Sequence, residues 1–123
     1  MSVALWLVSG LLAVAFIVSG VAKATMSRDR LLATGQTGIA PFPMPVVRIV
    51  ACCELLAVVG LFAPWLTGVV PALTPVAALG LVAVMSGAAV SHASLGEPRP
   101  VAVNLALLLA AGFVAAGRFA QLL

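Results

Sequence analysis

Residues 46–63 have the sequence VVRIVACCELLAVVGLFA, and this stretch decides the fold. It is apolar throughout except for two ionisable residues, Arg48 and Glu54. A run of about 20 apolar residues is long enough to cross a bilayer as a helix. An ionisable side chain deep inside such a helix costs roughly 2.5–3.5 kcal/mol unless another group pairs with it. The stretch therefore predicts a membrane-spanning helix, and it makes Glu54 the first candidate for a functional residue.

The composition of the whole chain is that of an integral membrane protein. Of the 123 residues, 64% are hydrophobic and only 7% are charged, whereas about 25% of the residues in a soluble domain are charged. The net charge is +3, and the basic residues flank apolar runs, where they set the topology and contact anionic lipid. The composition therefore predicts a lipid bilayer as the surroundings and argues against nucleic acid as a partner.

Four apolar stretches are each close to the roughly 20 residues that a spanning helix needs. They cover residues 3–22, 45–63, 68–91 and 100–122. The first connection is long, the second is a tight turn at residues 64–67, and the third is short and polar. Short connections make successive helices antiparallel neighbours. The sequence therefore predicts an all-α fold, a transmembrane four-helix up-down bundle, with residues 1–123 forming a single domain.

The distribution of charge predicts the orientation of the bundle. Five of the basic residues lie in or beside the first and third connections: Lys23, Arg28, Arg30, Arg48 and Arg99. The opposite end carries only Arg118. Because basic loops stay in the cytoplasm, we expect loops one and three inside the cell and both termini outside. Trp6 and Trp65 then fall at the outer interface, where aromatic belts form.

The first connection has structure of its own. Ser27 can cap a short helix that ends at Gly35, because serine accepts a hydrogen bond from the free amides of a first helical turn. Leu31 and Leu32 would face the membrane while neighbouring arginines face water, which is the pattern of an interfacial helix. Alternating prolines in residues 41–45 favour an extended segment. That segment either folds over the bundle end as a lid or connects the helices without a further role.

Polar side chains from all four spans can meet Glu54 at the cytoplasmic end of the bundle. Glu54 lies about nine residues into its span, or roughly 13 Å of helical rise. Arg48 precedes it by six residues, which places the two side chains about 120° apart on the helix. A partner on another helix is therefore expected, and the options are Lys23, His92 and Asn104. These five residues form the candidate ligand-binding or proton-exchanging site.

Two interpretations of this cluster stay open. In the first, a buried carboxylate beside a cavity binds a ligand or exchanges a proton, as intramembrane ionisable groups often do. In the second, Glu54 pairs with a lysine or arginine and fixes the register of the helices without any chemistry. A Glu54→Gln variant separates them, because only the first interpretation ties the carboxylate to ligand binding.

Metal and thiol chemistry find little support in the sequence. One histidine and three acidic residues show no metal-ligand spacing, so no metal site is expected. Cys52 and Cys53 are adjacent, and neighbouring side chains on a helix point about 100° apart, which disfavours a disulfide. We expect both cysteines to fill apolar space in the interior.

Small residues four apart, as in Ala83 and Gly87, predict close helix packing within the bundle or, as the alternative, a dimer contact.

Three short motifs resemble those of a known family. Residues 19–23, SGVAK, close the first span in the manner of an S-G-x-x-K ending. Glu54 in the second span is followed by an apolar run and a short turn, and Asn104 opens the fourth span. Together with the size and the four spans, these motifs resemble the DoxX-like family of small four-helix bacterial membrane proteins. The resemblance covers nearly the whole chain and points to Lys23, Glu54 and Asn104, whereas no role transfers to His92 or the cysteines.

The resemblance also carries expectations about function. Some relatives serve as membrane subunits of sulfur-compound:quinone oxidoreductases or of complexes that handle thiol and oxidative stress, and related four-helix proteins help other membrane proteins to assemble. It therefore implies a multi-pass protein of the bacterial cell membrane that is an accessory subunit in redox or quinone chemistry rather than an enzyme on its own. A quinone is the expected ligand, and no covalently bound cofactor is implied. Expected partners are other membrane or membrane-associated proteins or a second copy of the chain.

Overall fold

A computed structural model describes residues 2–123 of the chain, and helices dominate this part. The elements in chain order are α1 (Ser2–Thr25), α2 (Arg28–Ala33), a 3-10 helix (Thr37–Ile39), α3 (Met44–Thr67), α4 (Leu73–Ser94) and α5 (Pro98–Leu122). Four of these helices, all except α2 and the 3-10 helix, are long and apolar enough to cross a membrane. The prediction of an all-helical protein with four spans is therefore confirmed.

The four long helices form a closed ring in which helices that follow one another in the chain are neighbours. α1 packs against α3, α3 against α4, α4 against α5, and α5 against α1. Trp6 near the start of α1 stacks on Phe62 near the end of α3, and Lys23 near the end of α1 contacts Glu54 in the first half of α3. These contacts show that α1 and α3 run antiparallel, as the up-down bundle requires.

The bundle has an apolar interior and an apolar exterior. Large side chains from all four spans make the core, including Phe16, Leu61, Leu81 and Val114, none of which is more than 1% exposed. Leucines and valines such as Leu56, which is 70% exposed, cover the outside. Such a surface is stable only in lipid, where apolar side chains gain nothing by being buried. The chain is therefore a multi-pass membrane protein whose spans contact the bilayer directly.

The second connection lies later in the chain than the sequence predicts. Residues 64–67, expected as a turn, complete the last turn of α3 with Pro64 inside the helix. The helix ends at Gly68, whose φ of +71° is the left-handed conformation that glycine adopts without strain. α4 then begins at Leu73 rather than at residue 68. Pro75 lies in its first turn, where a missing amide hydrogen costs no helical hydrogen bond.

The first connection forms a cover at one end of the bundle. Ser27 caps α2 by accepting a hydrogen bond from the amide of Arg30 at 3.3 Å, as predicted. Leu31, however, does not face the membrane: it is completely buried against Ile39 and Val47. The stretch after α2, which contains the 3-10 helix, packs Ile39 onto this leucine and removes it from lipid. We call residues 34–42 the roof segment, since several of its residues line the cavity described below.

Close helix contacts occur at glycines other than those expected. A methyl group on Gly20 would lie 2.8 Å from the side chain of Leu55, so a larger residue here would require Leu55 to move. Gly87 belongs to the predicted small-residue pattern, yet a methyl group there would meet nothing within 4 Å among the described residues. The expectation of close packing inside the bundle is therefore wrong at this position, and the alternative of a dimer contact stays a prediction.

Candidate functional site

A buried ion pair joins α1 to α3. The Nζ atom of Lys23 lies 2.7 Å from Oε1 of Glu54, and the Glu54 side chain has no exposed surface. Glu54 follows Met44, the first residue of α3, by ten residues, which corresponds to about 15 Å of helical rise. The second carboxylate oxygen, Oε2, is buried without a hydrogen-bond partner among the described residues. The structure thus gives Glu54 one of the partners expected from the sequence, Lys23.

Arg48 contacts the main chain of Lys23 rather than its side chain. Its guanidinium donates a hydrogen bond to the main-chain carbonyl of Lys23, close to the end of α1. A carbonyl in the last turn of a helix has no partner within the helix, and the negative end of the helix dipole favours a cation there. Arg48 therefore holds the end of α1 against α3. It forms no ion pair with Glu54 among the residues that the structure describes.

Lys23 borders a half-open cavity at the same end of the bundle. The cavity measures about 580 Å³ and touches all four spans and the roof segment. That volume lies within the range of roughly 300–1,000 Å³ found for small-molecule sites. Most of its wall is apolar, with Phe16, Val50 and Met85 among the lining residues. The space therefore suits a mainly apolar molecule that carries a few polar atoms.

The charged side chains around the cavity are basic. Lys23 and Arg99 line the cavity, and His92 does so as well. Glu54 is not among the lining residues, so the lysine separates its carboxylate from the cavity. Within residues 2–123, no carboxylate reaches the cavity wall. A ligand with hydrogen-bond acceptors or a negative charge therefore fits the wall better than a cation does.

Asn104 is the most informative polar residue of the cavity wall. Only 8% of its surface is exposed, and it lies in the second turn of α5. Its Nδ2 atom is buried and has no hydrogen-bond partner within the described chain. An unsatisfied buried donor costs about 1–3 kcal/mol, and a water molecule, an ion or a ligand that supplied the missing acceptor would remove this cost.

His92 belongs to a separate group of hydrogen bonds that holds the roof segment. Its Nδ1 atom lies 2.8 Å from Oε1 of Glu97, and Thr37 of the roof segment donates to the same oxygen at 2.9 Å. Ser91 donates to the main-chain carbonyl of Gly38 at 2.6 Å. The hydrogen bond with His92, followed by that from Thr37, holds the pKa of the Glu97 carboxyl below its ordinary value of 4.5.

The five predicted site residues therefore have different positions. Lys23, His92 and Asn104 line one cavity, Glu54 lies behind Lys23, and Arg48 binds the end of α1. The sequence placed them at one end of the bundle, and the structure brings them to that end. What each contributes to function stays a prediction.

Sequence reasoning missed a second polar group at the opposite end. Arg118 is 1% exposed, and its guanidinium carbon lies 4.4 Å from the ring centre of Trp6 and 4.5 Å from that of Trp65. It also donates to Gln121 at 2.8 Å. Cation–π contacts of this kind stabilise by roughly 0.5–2 kcal/mol each. The sequence does contain an indication of this group, because Arg118 and both tryptophans of the chain are predicted at the same end of the bundle.

The cysteines lie outside the site. Cys52 and Cys53 are both free and both exposed on α3, so the expectation that they fill the interior is wrong. The buried face of α3 carries Val47, Ala51 and Glu54 instead, and a rotation of about 100° per residue turns the two cysteines toward lipid. Across residues 2–123, no three histidine, cysteine or acidic side chains come close enough to hold a metal ion.

Comparison with known proteins assigns the chain to a family. The model of the DoxX-like family matches residues 7–114, a range that contains Lys23, Glu54 and Asn104. Arg118 and Trp6 lie outside the matched range. No curated protein and no solved structure matches the chain. Because the match covers most of its length, and because the four spans agree with it, the chain belongs to the DoxX-like family.

Proposed function

We propose that this protein is a membrane subunit or accessory factor that binds a quinone, or a molecule of similar chemistry, in the cavity at one end of its bundle. The observation that carries this proposal is the buried, unpartnered Nδ2 of Asn104 in the wall of that cavity. A quinone carbonyl would supply the acceptor that this donor lacks. The protein would serve redox or oxidative-stress chemistry together with partner proteins, and it would not be an enzyme by itself.

The residues around the cavity fit such a ligand. Asn104 and Lys23 offer donors to a carbonyl oxygen, while Phe16 and Met85 offer an apolar surface to a ring. A quinone, when bound, supplies the capacity to take up two electrons and two protons. The role of Glu54 is to hold Lys23 in position, since its carboxylate contacts the lysine and does not reach the cavity.

The orientation expected from the charges places this site toward the cytoplasm of a bacterial cell. Lys23, Arg48 and Arg99 lie at the same end of the bundle as the cavity, and basic residues mark the cytoplasmic side. A soluble partner that delivers or removes electrons would therefore approach the roof segment from inside the cell.

An Asn104→Leu variant tests the ligand site. Leucine removes the unsatisfied donor, so the free protein should be as stable as the wild type or more stable. The same change should weaken binding of a water-soluble ubiquinone with one isoprenoid unit about fivefold, which is the loss of one ordinary hydrogen bond. Calorimetry in lipid nanodiscs measures both quantities. Ser86→Ala, which removes a hydroxyl bonded to its own helix, is the control and should leave binding unchanged.

The opposite result is equally clear. If Asn104→Leu lowers the unfolding temperature and leaves quinone binding unaltered, the asparagine has a structural role and the proposed site is wrong. If the wild type binds no quinone at all, the proposed ligand is wrong even though the cavity exists.

A second candidate function is an assembly module whose polar pair has only a structural role. The complete burial of Glu54, together with its absence from the cavity wall, favours this alternative. The double variant Lys23→Met/Glu54→Leu distinguishes the two, because it removes both charges together. An assembly module would keep its partners whenever the double variant folds, whereas a ligand-binding subunit would lose affinity for its ligand in a folded double variant.

A further inference from the structure

A second concave surface lies on the membrane-facing side of the bundle, between α3 and α4. It measures about 500 Å³ and is lined by apolar and small side chains, among them Ala57, Val59 and Gly80. Its wall is open to lipid, since Val59 is 60% exposed and the neighbouring Val76 is 51% exposed. No charged residue contributes to its wall within the described chain. We call this surface the α3–α4 groove.

The groove adjoins the cavity. Val84 on α4 lines both spaces, so the side chain of this one residue stands between the groove and the cavity. One helical turn further along α4, Gly87 lines the cavity and is itself exposed, with nothing within 4 Å of the position that a methyl group would take. The cavity therefore has an opening toward the bilayer beside α4.

We propose that the ligand of this protein is a long-tailed amphiphile that places its head group in the cavity and passes its apolar tail out along the α3–α4 groove beside Val84. The inference rests on the proposed function, because it requires a ligand in the cavity. It adds the class of that ligand: a head with hydrogen-bond acceptors for Asn104 and Lys23, joined to an isoprenoid or acyl chain. It also adds the route, which lies within the membrane.

Volume and solvation both favour this arrangement. A cavity of about 580 Å³ is the size of a small-molecule site, so a tail of many isoprenoid units must extend beyond it. The tail gains little by exchanging lipid for the groove, since lipid chains are as apolar as the side chains that line it. The groove therefore acts through its shape: it must remain open for a tailed ligand, and it makes no difference to a ligand without a tail.

Gly80→Leu is the test of this route. Gly80 lines the groove and not the cavity, and nothing lies within 4 Å of the position of its missing methyl group, so a leucine fits without displacing the helix. Gly112→Leu is the matched control, because Gly112 has equally open surroundings on α5 and lines neither space. Two probes are compared in nanodiscs: a ubiquinone with one isoprenoid unit, and a ubiquinone with eight units that displaces it.

We expect Gly80→Leu to weaken binding of the eight-unit quinone about tenfold, which equals about 1.4 kcal/mol, and to change binding of the one-unit quinone less than twofold. Gly112→Leu should change neither. Equal effects of Gly80→Leu on both probes, or none on either, would overturn the proposed route while leaving the cavity as a binding site. If the wild type binds neither probe, the proposed function fails and the route fails with it.

Discussion

At the scale of single residues, the Lys23–Glu54 pair is the most consequential contact of the fold. Both side chains come from membrane spans, and the distance between Nζ and Oε1 is 2.7 Å. Removing one member of a buried ion pair leaves the other charge without compensation, which typically costs about 3–5 kcal/mol. Replacing both members by apolar groups of similar size is often neutral or even stabilising. Loss of either residue alone should therefore destabilise the fold more than loss of both together.

This asymmetry gives the first prediction. Glu54→Gln should lower the free energy of unfolding by about 3 kcal/mol, and the exchanged pair Lys23→Glu/Glu54→Lys should recover a large part of that loss. Unfolding by sodium dodecyl sulfate in mixed micelles measures the difference. Asp29→Asn, which removes an exposed carboxylate on α2, serves as the control and should change stability little. A Glu54→Gln protein as stable as the wild type would show that Lys23 has another partner.

Arg118 gives the second prediction at this scale. Its guanidinium lies between Trp6 and Trp65, so Arg118→Ala should remove two cation–π contacts of about 1 kcal/mol each and leave a cavity. Arg118→Lys keeps the charge but loses the flat surface that stacks on both rings. Its free energy of unfolding should fall by roughly half as much as that of Arg118→Ala. Tryptophan emission and unfolding in mixed micelles report the change. Arg30→Ala, at an exposed position of α2, should alter neither.

A lysine variant as stable as the wild type would mean that charge alone matters at position 118. An alanine variant as stable as the wild type would mean that the cost of the buried Nε and Nη2 donors, which have no hydrogen-bond partner within residues 2–123, cancels the stacking. Either outcome contradicts the prediction in a distinct way.

At the scale of elements, the long helices follow from the sequence, whereas their ends and contacts follow less directly. Apolar runs near 20 residues identify all four spans, because a bilayer sets their length. The sequence predicts too early an end for α3 because Pro64 suggests a break, yet the helix continues through this proline to the left-handed Gly68. The burial of Leu31 could not be foreseen, because it depends on how the roof segment folds back.

In the candidate site, the depth of each residue in the membrane follows from the sequence, whereas the direction in which its side chain points depends on helix packing. Helical rise placed Lys23, Glu54 and Asn104 near one membrane face, and that required only counting residues. Which of them reaches the cavity depends on rotations of whole helices, which are set by close contacts such as that of Gly20 with Leu55. The sequence therefore predicted which residues are close, and it could not predict that Glu54 lies behind Lys23.

The roof segment gives the third prediction, which concerns pH. Hydrogen bonds from His92 and Thr37 lower the pKa of Glu97 in the folded state. These hydrogen bonds to the ionised Glu97 therefore stabilise the folded state fully when the pH is above the ordinary pKa of 4.5. This stabilisation is lost as the pH falls through the lowered pKa of the folded state. We expect amide hydrogen exchange in residues 37–40 to rise, after correction for intrinsic rates, as the pH falls below 4.5. Hydrogen exchange with mass spectrometry measures it.

Glu97→Gln supplies the control for this prediction. The glutamine cannot ionise, so the variant should exchange faster than the wild type at pH values above 4.5 and should converge with it in acid. If the wild type and Glu97→Gln show the same protection of the roof segment at neutral pH, then the contact between Ser91 and Gly38 is enough to hold the segment.

At the scale of the whole molecule, the two ends of the bundle differ in construction. One end carries the cavity, the roof segment and five of the basic residues, whereas the other is closed by Arg118 between two tryptophans. A tryptophan pair suits an interface, because indole rings prefer the boundary between lipid and water. The proposed ligand, which is soluble in the bilayer, would enter from the side through the α3–α4 groove, and the proposed soluble partner would meet the basic end.

The fourth prediction concerns the orientation of the bundle, that is, which of its two ends lies in the cytoplasm. With Cys52 and Cys53 changed to alanine, a single cysteine is introduced either at Ala33, an exposed residue at the end of α2, or at Val69, which is 67% exposed in the second connection. Because basic ends remain in the cytoplasm, a membrane-impermeant maleimide should label Val69→Cys in intact spheroplasts and Ala33→Cys only after the membrane is permeabilised. The cysteine-free protein is the control and should show no labelling. Labelling of Ala33→Cys in intact spheroplasts would place the cavity end outside the cell, and its soluble partners would then have to be extracytoplasmic.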